Sequence, residues 1–397
     1  MVDVRAAEAR LRDAPWRQDA DLQAILSVLG GAEKQTRVVG GVVRDTLLAR
    51  GRQGTDIDIA TVLVPDEVIE RATAAGIAVY PTGIEHGTVT LKHGALTTEV
   101  TTLREDVETD GRRAVVRFGT DWARDAARRD FTLNALYAEA DGTLFDPLGG
   151  LGDCLAQVVR FIGDADQRIA EDRLRVFRFF RFSASHGEER FDGGGLAACG
   201  RAAGDLGKVS AERVGAEMTR MLALPRVAHT LTQMRAIGLF DWPETVLERL
   251  RRYETHAPSL RGRLALLGEP AGLQARWRLS NALTEGVTRV RAGAEMLLAA
   301  DAAGKSPDEA GYRFADVIHD AVEVAIALHD ADGAWASRLR AHRFAPPAPF
   351  PVSGADLLRR GLKAGPDLGR ELARLEMVWI ESGFALDRED LLEQARL

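Results

Sequence analysis

The sequence predicts an α+β chain: a head of mixed β-sheet and helices over residues 1–153, then an all-helical remainder. Three observations predict it. Period-two runs rich in β-branched residues occur only before Asp153, helical periodicity alone follows it, and no tandem repeat runs through either part.

Taken in order, residues 20–29 carry apolar side chains at helical spacing and predict an amphipathic helix. RVVGG then reads as a short strand ending in two glycines, and VVRDTLLA as a second helix. TDIDIATVLV, Thr55 to Val64, alternates polar and apolar residues as a half-buried strand does. Further strands are expected at GTVTL (Gly87 to Leu91), TTEVTTL (Thr97 to Leu103) and AVVRF (Ala114 to Phe118). Past Asp153, the segments EDRLRVFRFFRFSA, SAERVGAEMTRMLAL and TRVRAGAEMLLAADAA all repeat at helical spacing. PPAPFP, Pro346 to Pro351, marks a boundary before a last helical segment.

Composition narrows the class. With 397 residues, 46% hydrophobic and 28% charged, the chain is neither disordered nor fibrous. A net charge of −7 means that any surface for a polyanion must be local. Arginine supplies most of the positive charge, which suits bidentate phosphate and base contacts and equally suits a GC-rich genome. The two cysteines, Cys154 and Cys199, form no motif, which speaks against a disulfide framework or zinc site and fits a reducing compartment. Residues 1–30 contain no signal-peptide apolar core, and no apolar run approaches the roughly 18 residues of a membrane span. A soluble, cytoplasmic protein with no membrane partner is expected.

The chemistry starts with TDIDIAT. On a strand, residues i and i+2 face the same way, so Asp56 and Asp58 would present two carboxylates side by side. Such hard oxygen ligands suit Mg²⁺, and two ions about 4 Å apart can clamp both oxygens of an in-line phosphoryl displacement. On its own the pair also fits two solvated aspartates. Upstream, GGVVRD (Gly40 to Asp45) sets Gly40 and Gly41 between strand and helix, where backbone N–H groups can approach phosphate and Arg44 can reach a triphosphate. A plain helix-initiating turn has the same pattern. Glu99, in TTEVTTLR, is the candidate third carboxylate, or else an exposed strand glutamate.

These motifs, followed by RRDFTLNAL (Arg128 to Leu136), DPLGGLGD (Asp146 to Asp153) and EDRLRVFRFFRF (Glu171 to Phe182), stand in the order and spacing of one known family. The chain resembles the class II CCA-adding enzymes and bacterial poly(A) polymerases. The resemblance runs on weakly through VSAERVGAEM and returns in GADLLRRGLKAGPDLGREL, Gly354 to Leu372. It implies a polymerase-beta-like nucleotidyltransferase head at 1–153, a helical neck at 154–225, a body at 226–345 and an RNA-binding tail at 346–397. It implies Asp56 and Asp58 as metal ligands, and Gly41, Arg44 and Arg129 as nucleotide contacts. Asp172, Arg175, Arg178 and Arg181 match a run that meets the incoming nucleotide, and Glu171 opens the same motif. The polar stretch from Arg104 to Arg117 corresponds to a mobile loop that helps switch nucleotide specificity.

Base selection without a template needs protein groups. Read as one helix, EDRLR places Asp172 and Arg175 on one face. Aspartate accepts from an exocyclic amine and arginine donates to ring or carbonyl acceptors, a pattern that suits cytosine and adenine. Uracil would leave a buried group unpaired, at a cost of about 1–3 kcal/mol. Arg178 and Arg181, further round the helix, are expected to serve phosphates or a neighbouring domain. Intrahelical ion pairs offer another reading, but the interleaved phenylalanines mark the helix as buried, and buried arginines need anions.

The expected function is addition of C, C and A from CTP and ATP to the tRNA 3′ end, with Mg²⁺ as cofactor, by a monomer or homodimer. Poly(A) or A-only addition stays open, as does a non-catalytic RNA-binding protein with a decayed head. The acidic ending DREDLLEQARL favours tRNA over a poly(A) polymerase's basic extension. KAGPDLG (Lys363 to Gly369) reads as a hairpin between helices whose N–H groups could grip an RNA backbone, or as a plain helix–turn–helix contact. His86 and His93 read as structural, and Trp242 and Trp379 as core.

Overall fold

The structure, a computed structural model, describes residues 3–51, 57–106, 116–207, 209–329, 333–344 and 349–396. The chain divides into two compact units, 1–217 with 233–240, and 218–232 with 241–397.

In the first unit the chain runs α1 (Val4–Arg12), α2 (Ala20–Val28), β1 (Thr36–Val39), α3 (Gly41–Leu47), β2 (Asp58–Thr61) and α4 (Pro65–Ala74). It continues through β3 (Ala78–Gly83), β4 (Thr88–His93), β5 (Leu96–Thr102), β6 (Arg104–Asp106), β7 (Val116–Phe118), α5 (Trp122–Ala127), β8 (Tyr137–Ala138) and β9 (Leu144–Phe145). Seven strands form one sheet in the order β3-β4-β5-β2-β1-β8-β9, while β6 and β7 pair separately. Among the described strands, only β2 and β5 pair in parallel. Aspartates cap the first two helices, Asp3 accepting from the Ala6 N–H and Asp19 from the Leu22 N–H.

One sheet face carries Ile59, Val89, Leu91 and Val100, all buried, with α2 and α4 against it. On the opposite face, Val39, Ala60, Leu103, Ala126, Ala135, Tyr137 and Ile162 form an apolar cluster with Trp122 and Phe145 packed on it. That two-sided cover changes the reading of TDIDIATVLV. The strand spans only Asp58–Thr61, and Ile59, Ala60 and Thr61 are all buried where half were expected to be solvated. Thr61 tolerates burial because its hydroxyl meets that of Thr36 at 2.8 Å. Residues 55–56 lie outside the described ones.

Helices α6 (Leu151–Leu155), α7 (Ala165–Glu171), α8 (Leu174–His186), α9 (Gly193–Ala202), α10 (Ala211–Leu222) and α11 (Ala228–Ala236) follow. The expected single helix through EDRLR is broken. Asp172 is extended (φ −148°, ψ 104°), ends α7, and accepts from the Leu174 N–H that opens α8. Aspartate competes for backbone N–H groups and favours such a junction over a helix interior. Phe177, Phe179, Phe180 and Phe182 are buried along α8 as expected.

The second unit is helical throughout its described residues. Its chain holds α12 (Glu244–Tyr253), α13 (Leu260–Leu267), α14 (Pro270–Trp277), α15 (Asn281–Ala302), α16 (Asp308–Arg313), α17 (Ile318–Leu328) and α18 (Gly333–Ala341). Then come α19 (Gly354–Arg359), α20 (Pro366–Glu381) and α21 (Arg388–Glu393). These last three enclose Leu357, Leu375, Trp379, Ile380 and Leu391. Arg263 on α13 is 0% exposed. It donates to Glu254 Oε1 at 3.0 Å and to the carbonyls of Leu222 and Pro225 at 2.6 and 2.7 Å. No helix among the described residues is long and apolar enough to cross a membrane.

Candidate active site

The sheet register lines up the acidic groups. Asp58 opens β2 and pairs with Glu99 on β5, Thr90 on β4 pairs with Glu99, and Tyr80 on β3 pairs with Thr90. On the other side Asp58 pairs with Val39, Val39 with Tyr137 and Tyr137 with Phe145. Laterally paired residues face the same way, so this single row puts both carboxylates on one face. Both are exposed. Asp56, the other half of the D-x-D pair, lies outside the described residues.

The glycine turn sits beside this row. Gly40 has φ 78° and ψ −126°, a backbone conformation that a side chain would strain, and a methyl there would lie 4.0 Å from Asp58 Oδ2. Gly41 opens α3. Arg44, one turn in, is 5% exposed rather than extended towards solvent. It donates to Asp45 Oδ1 at 2.8 Å and to Asn134 Oδ1 at 2.6 Å. Asn134 donates to Asp130 Oδ1 at 3.0 Å, and Arg178 donates to Asp130 Oδ2 at 2.7 Å. Arg181 closes the chain on Glu217 at 2.5 Å, with Arg178 3.7 Å from the same carboxylate. The anions that buried Arg44 and the partly buried Arg178 and Arg181 require are therefore supplied by the protein itself. Burial pushes the Asp130 carboxyl up, but the Arg178 charge and the Asn134 hydrogen bond outweigh it and hold it ionised below its usual range.

His186, the last residue of α8, meets Asp45 Oδ1 through Nε2 at 3.1 Å. Burial, reinforced by the Arg44 and Arg50 charges, lowers its pKa from 6.5 to about 4 against the pull of Asp45. The folded value is depressed, so the stability His186 contributes is present above 6.5 and lost as pH falls towards 4. At pH 5 the loss is about 2 kcal/mol. Urea denaturation at pH 7.5 and 5 checks this: His186→Gln is expected to lose about 2 kcal/mol less than the parent. An equal loss in both would refute it.

A second network holds Arg129. Asp125, buried on α5, accepts from Tyr137 Oη at 3.0 Å, from Arg129 Nη2 at 3.3 Å and from Arg128 Nε at 2.9 Å. It also accepts from the Arg104 N–H at the foot of β6, at 3.3 Å. Arg129 reaches Tyr137 Oη at 3.2 Å. Burial, together with Asp125, pushes the Tyr137 phenol up to about 12 despite Arg129, which keeps it a donor. Residues 107–115 of the Arg104–Arg117 loop lie outside the described ones.

With the helix broken at Asp172, the two groups expected to share a helix face engage different partners. Asp172 Oδ2 accepts from Arg213 of α10 at 2.7 Å. Arg175 donates to Glu171 Oε2 at 2.6 Å, and to the carbonyls of Arg168 and Arg128 at 2.8 and 2.9 Å. Asp45, Asp125, Asp130, Asn134, Tyr137, His186 and Glu217 were not singled out from sequence. Asp45, Asp130, Asn134 and Glu217 stand inside the quoted motifs, but Asp125, Tyr137 and His186 lie outside them, and His186 is 141 positions from Asp45. His93 meets Asp21 at 3.0 Å, Trp242 and Trp379 are buried, and burial raises both free thiols, Cys154 to about 12.

Residues 36–160 match the family model of the poly A polymerase head domain, and 196–247 that of a probable RNA and SrmB-binding site of polymerase A. The chain is 32% identical over 404 residues to mouse (Mus musculus) mitochondrial CCA tRNA nucleotidyltransferase 1, covering 94% of this chain and 88% of that one. It is also 32% identical over 390 residues to the CCA-adding enzyme of Limosilactobacillus fermentum, covering 94% and 95%. Among solved structures, the Bacillus stearothermophilus CCA-adding enzyme in complex with CTP superposes with a TM-score of 0.72 at 26% identity, over 95% of this chain and 98% of that one. The Thermotoga maritima enzyme complexed with tRNA shares the fold, with a TM-score of 0.69 at 19% identity over 97% of each chain. This chain belongs to the family of CCA tRNA nucleotidyltransferases, the CCA-adding enzymes.

Proposed function

We propose that the protein adds C, C and A from CTP and ATP to the 3′ end of tRNA and releases pyrophosphate. The observation that carries this is similarity to a CCA-adding enzyme over 94% of this chain and 95% of that one, combined with the in-register Asp58–Glu99 pair beside the Gly40 turn. Two exposed carboxylates on one sheet face suit a hard divalent cation. Asp58 and Glu99, with Asp56, are the residues that would hold Mg²⁺, which when bound supplies positive charge to the phosphoryl oxygens and the attacking hydroxyl.

The chain's own groups do the rest. The Gly40–Gly41 turn lets a phosphate approach the backbone, and Arg44 and Arg129, each held by a carboxylate, keep their guanidinium groups oriented for the nucleotide. Asp172 accepts from the exocyclic amine of cytosine or adenine while Arg175 donates to the adjacent ring nitrogen. Both are already engaged, by Arg213 and Glu171, so a base must offer matching groups in exchange. Glu171 thus orients Arg175, and Arg178 and Arg181 brace the helix through Asp130 and Glu217. The helical neck (154–225), body (226–345) and tail (346–397) engage the tRNA, a reading supported by the Thermotoga enzyme's complex with tRNA.

The test is incorporation of labelled CTP, with Mg²⁺, into tRNA lacking its CCA end. Addition of two C residues and then one A from ATP is expected, with little extension of an oligo(A) primer. Extension of oligo(A) without CTP incorporation would instead establish a poly(A) polymerase.

A further inference from the structure

His186 lies at the end of α8 with its side chain 12% exposed, and nothing in the nucleotide chemistry uses it. Its tautomer follows from its neighbours. The ionised Asp45 carboxylate can only accept, so Nε2 carries the hydrogen and donates at 3.1 Å. Nδ1 of the neutral ring is then a lone pair, and Ser185 Oγ donates to it at 2.6 Å. Asp45 Oδ1 therefore receives His186 and Arg44 Nε together. The His186 ring lies 5.5 Å from that of Phe182, which also faces the guanidinium groups of Arg44, Arg178 and Arg181 at 5.3, 5.3 and 4.2 Å. A second tie runs alongside, from Arg50 beyond α3 to the Ser185 carbonyl. α3 and the end of α8 are thus latched at two points.

We propose that His186 is a positioning residue for the incoming nucleotide: by fixing the Asp45 carboxylate it sets the plane of Arg44 and registers α3 against α8. The inference rests on the reading that Arg44 contacts the nucleotide's phosphates. Because Arg44 meets the part common to CTP and ATP, loss of the latch affects both equally. A side chain that only filled space would not do this.

His186→Leu keeps the apolar bulk and removes the N–H. It is expected to raise KM for CTP and for ATP by a common factor of about ten, with kcat within about threefold and KM for tRNA unchanged. His186→Gln, whose amide nitrogen can occupy the place of Nε2, is expected to restore both KM values to within about threefold of the parent. Calorimetric titration of CTP into the full chain without tRNA reads the same weakening independently of turnover. Parental KM values in His186→Leu, or a glutamine variant no better than leucine, would overturn the proposal. Should the leucine variant fail to fold, Ser185→Ala is the substitute: a common two- to threefold rise in both KM values, roughly, is expected, and no change would overturn it. If the parent protein itself adds no C to truncated tRNA, the functional reading fails, whereas the calorimetric comparison still decides the role of His186.

Discussion

Asp58→Asn is expected to lower the single-turnover rate of CMP addition to tRNA lacking its CCA end by at least about a thousandfold, roughly 4 kcal/mol of barrier. The substitution preserves size and removes the charge that a divalent ion needs. The fold should survive, because Asp58 is exposed at the start of β2 while the buried contacts of that strand come from Ile59, Ala60 and Thr61. Thermal melting within a degree or two of the parent is the control. Glu99→Gln should act in the same direction, since it pairs with Asp58 across the parallel ladder. A rate within tenfold of the parent for Asp58→Asn would remove Asp58 from the reaction.

Arg263→Met is expected to destabilise the second unit by about 3–5 kcal/mol, measured by urea denaturation. Three hydrogen bonds converge on a guanidinium with no exposed surface, and methionine fills the volume while supplying none of them. The larger part of the loss comes from Glu254, whose side chain keeps only the N–H groups of Val227 and Ala228 and stays buried as an uncompensated charge. Adding Glu254→Gln should therefore recover part of the loss. A cost below about 1 kcal/mol would mean that the unit relaxes to let water reach Glu254.

The sequence made the head legible where local rules suffice. β-branched runs located β1, β4 and β5, and the double glycine located the turn into α3. Strand parity placed Glu99 outward, but only the parallel pairing of β2 with β5, separated by two other strands in the chain, puts it beside Asp58. EDRLR read as a continuous helix because its residues mostly favour one, and the preference of Asp172 for a junction is a single-residue effect inside that run. Arg178 and Arg181 read as serving phosphates or a neighbouring domain, and the counter-charges they meet, Asp130 and Glu217, could not be named because they come from distant segments. The same distance hid His186. Periodicity reports which face is buried, not which partner waits there.

The row through Tyr80, Thr90, Glu99, Asp58 and Val39 has a consequence for how the chain assembles. Side chains alternate along a strand, so a slip of β2 by one residue would turn Asp58 to the opposite face, against α2 and α4, and bring Ile59 out. A carboxylate forced into that apolar layer costs several kcal/mol or must take up a proton. Mispaired sheets are therefore expelled by the same charges that are proposed to hold the divalent ion. On the proposed reading the acidic pair holds the divalent ion in the finished protein, and its charge also acts as a sorting device while the sheet is being made.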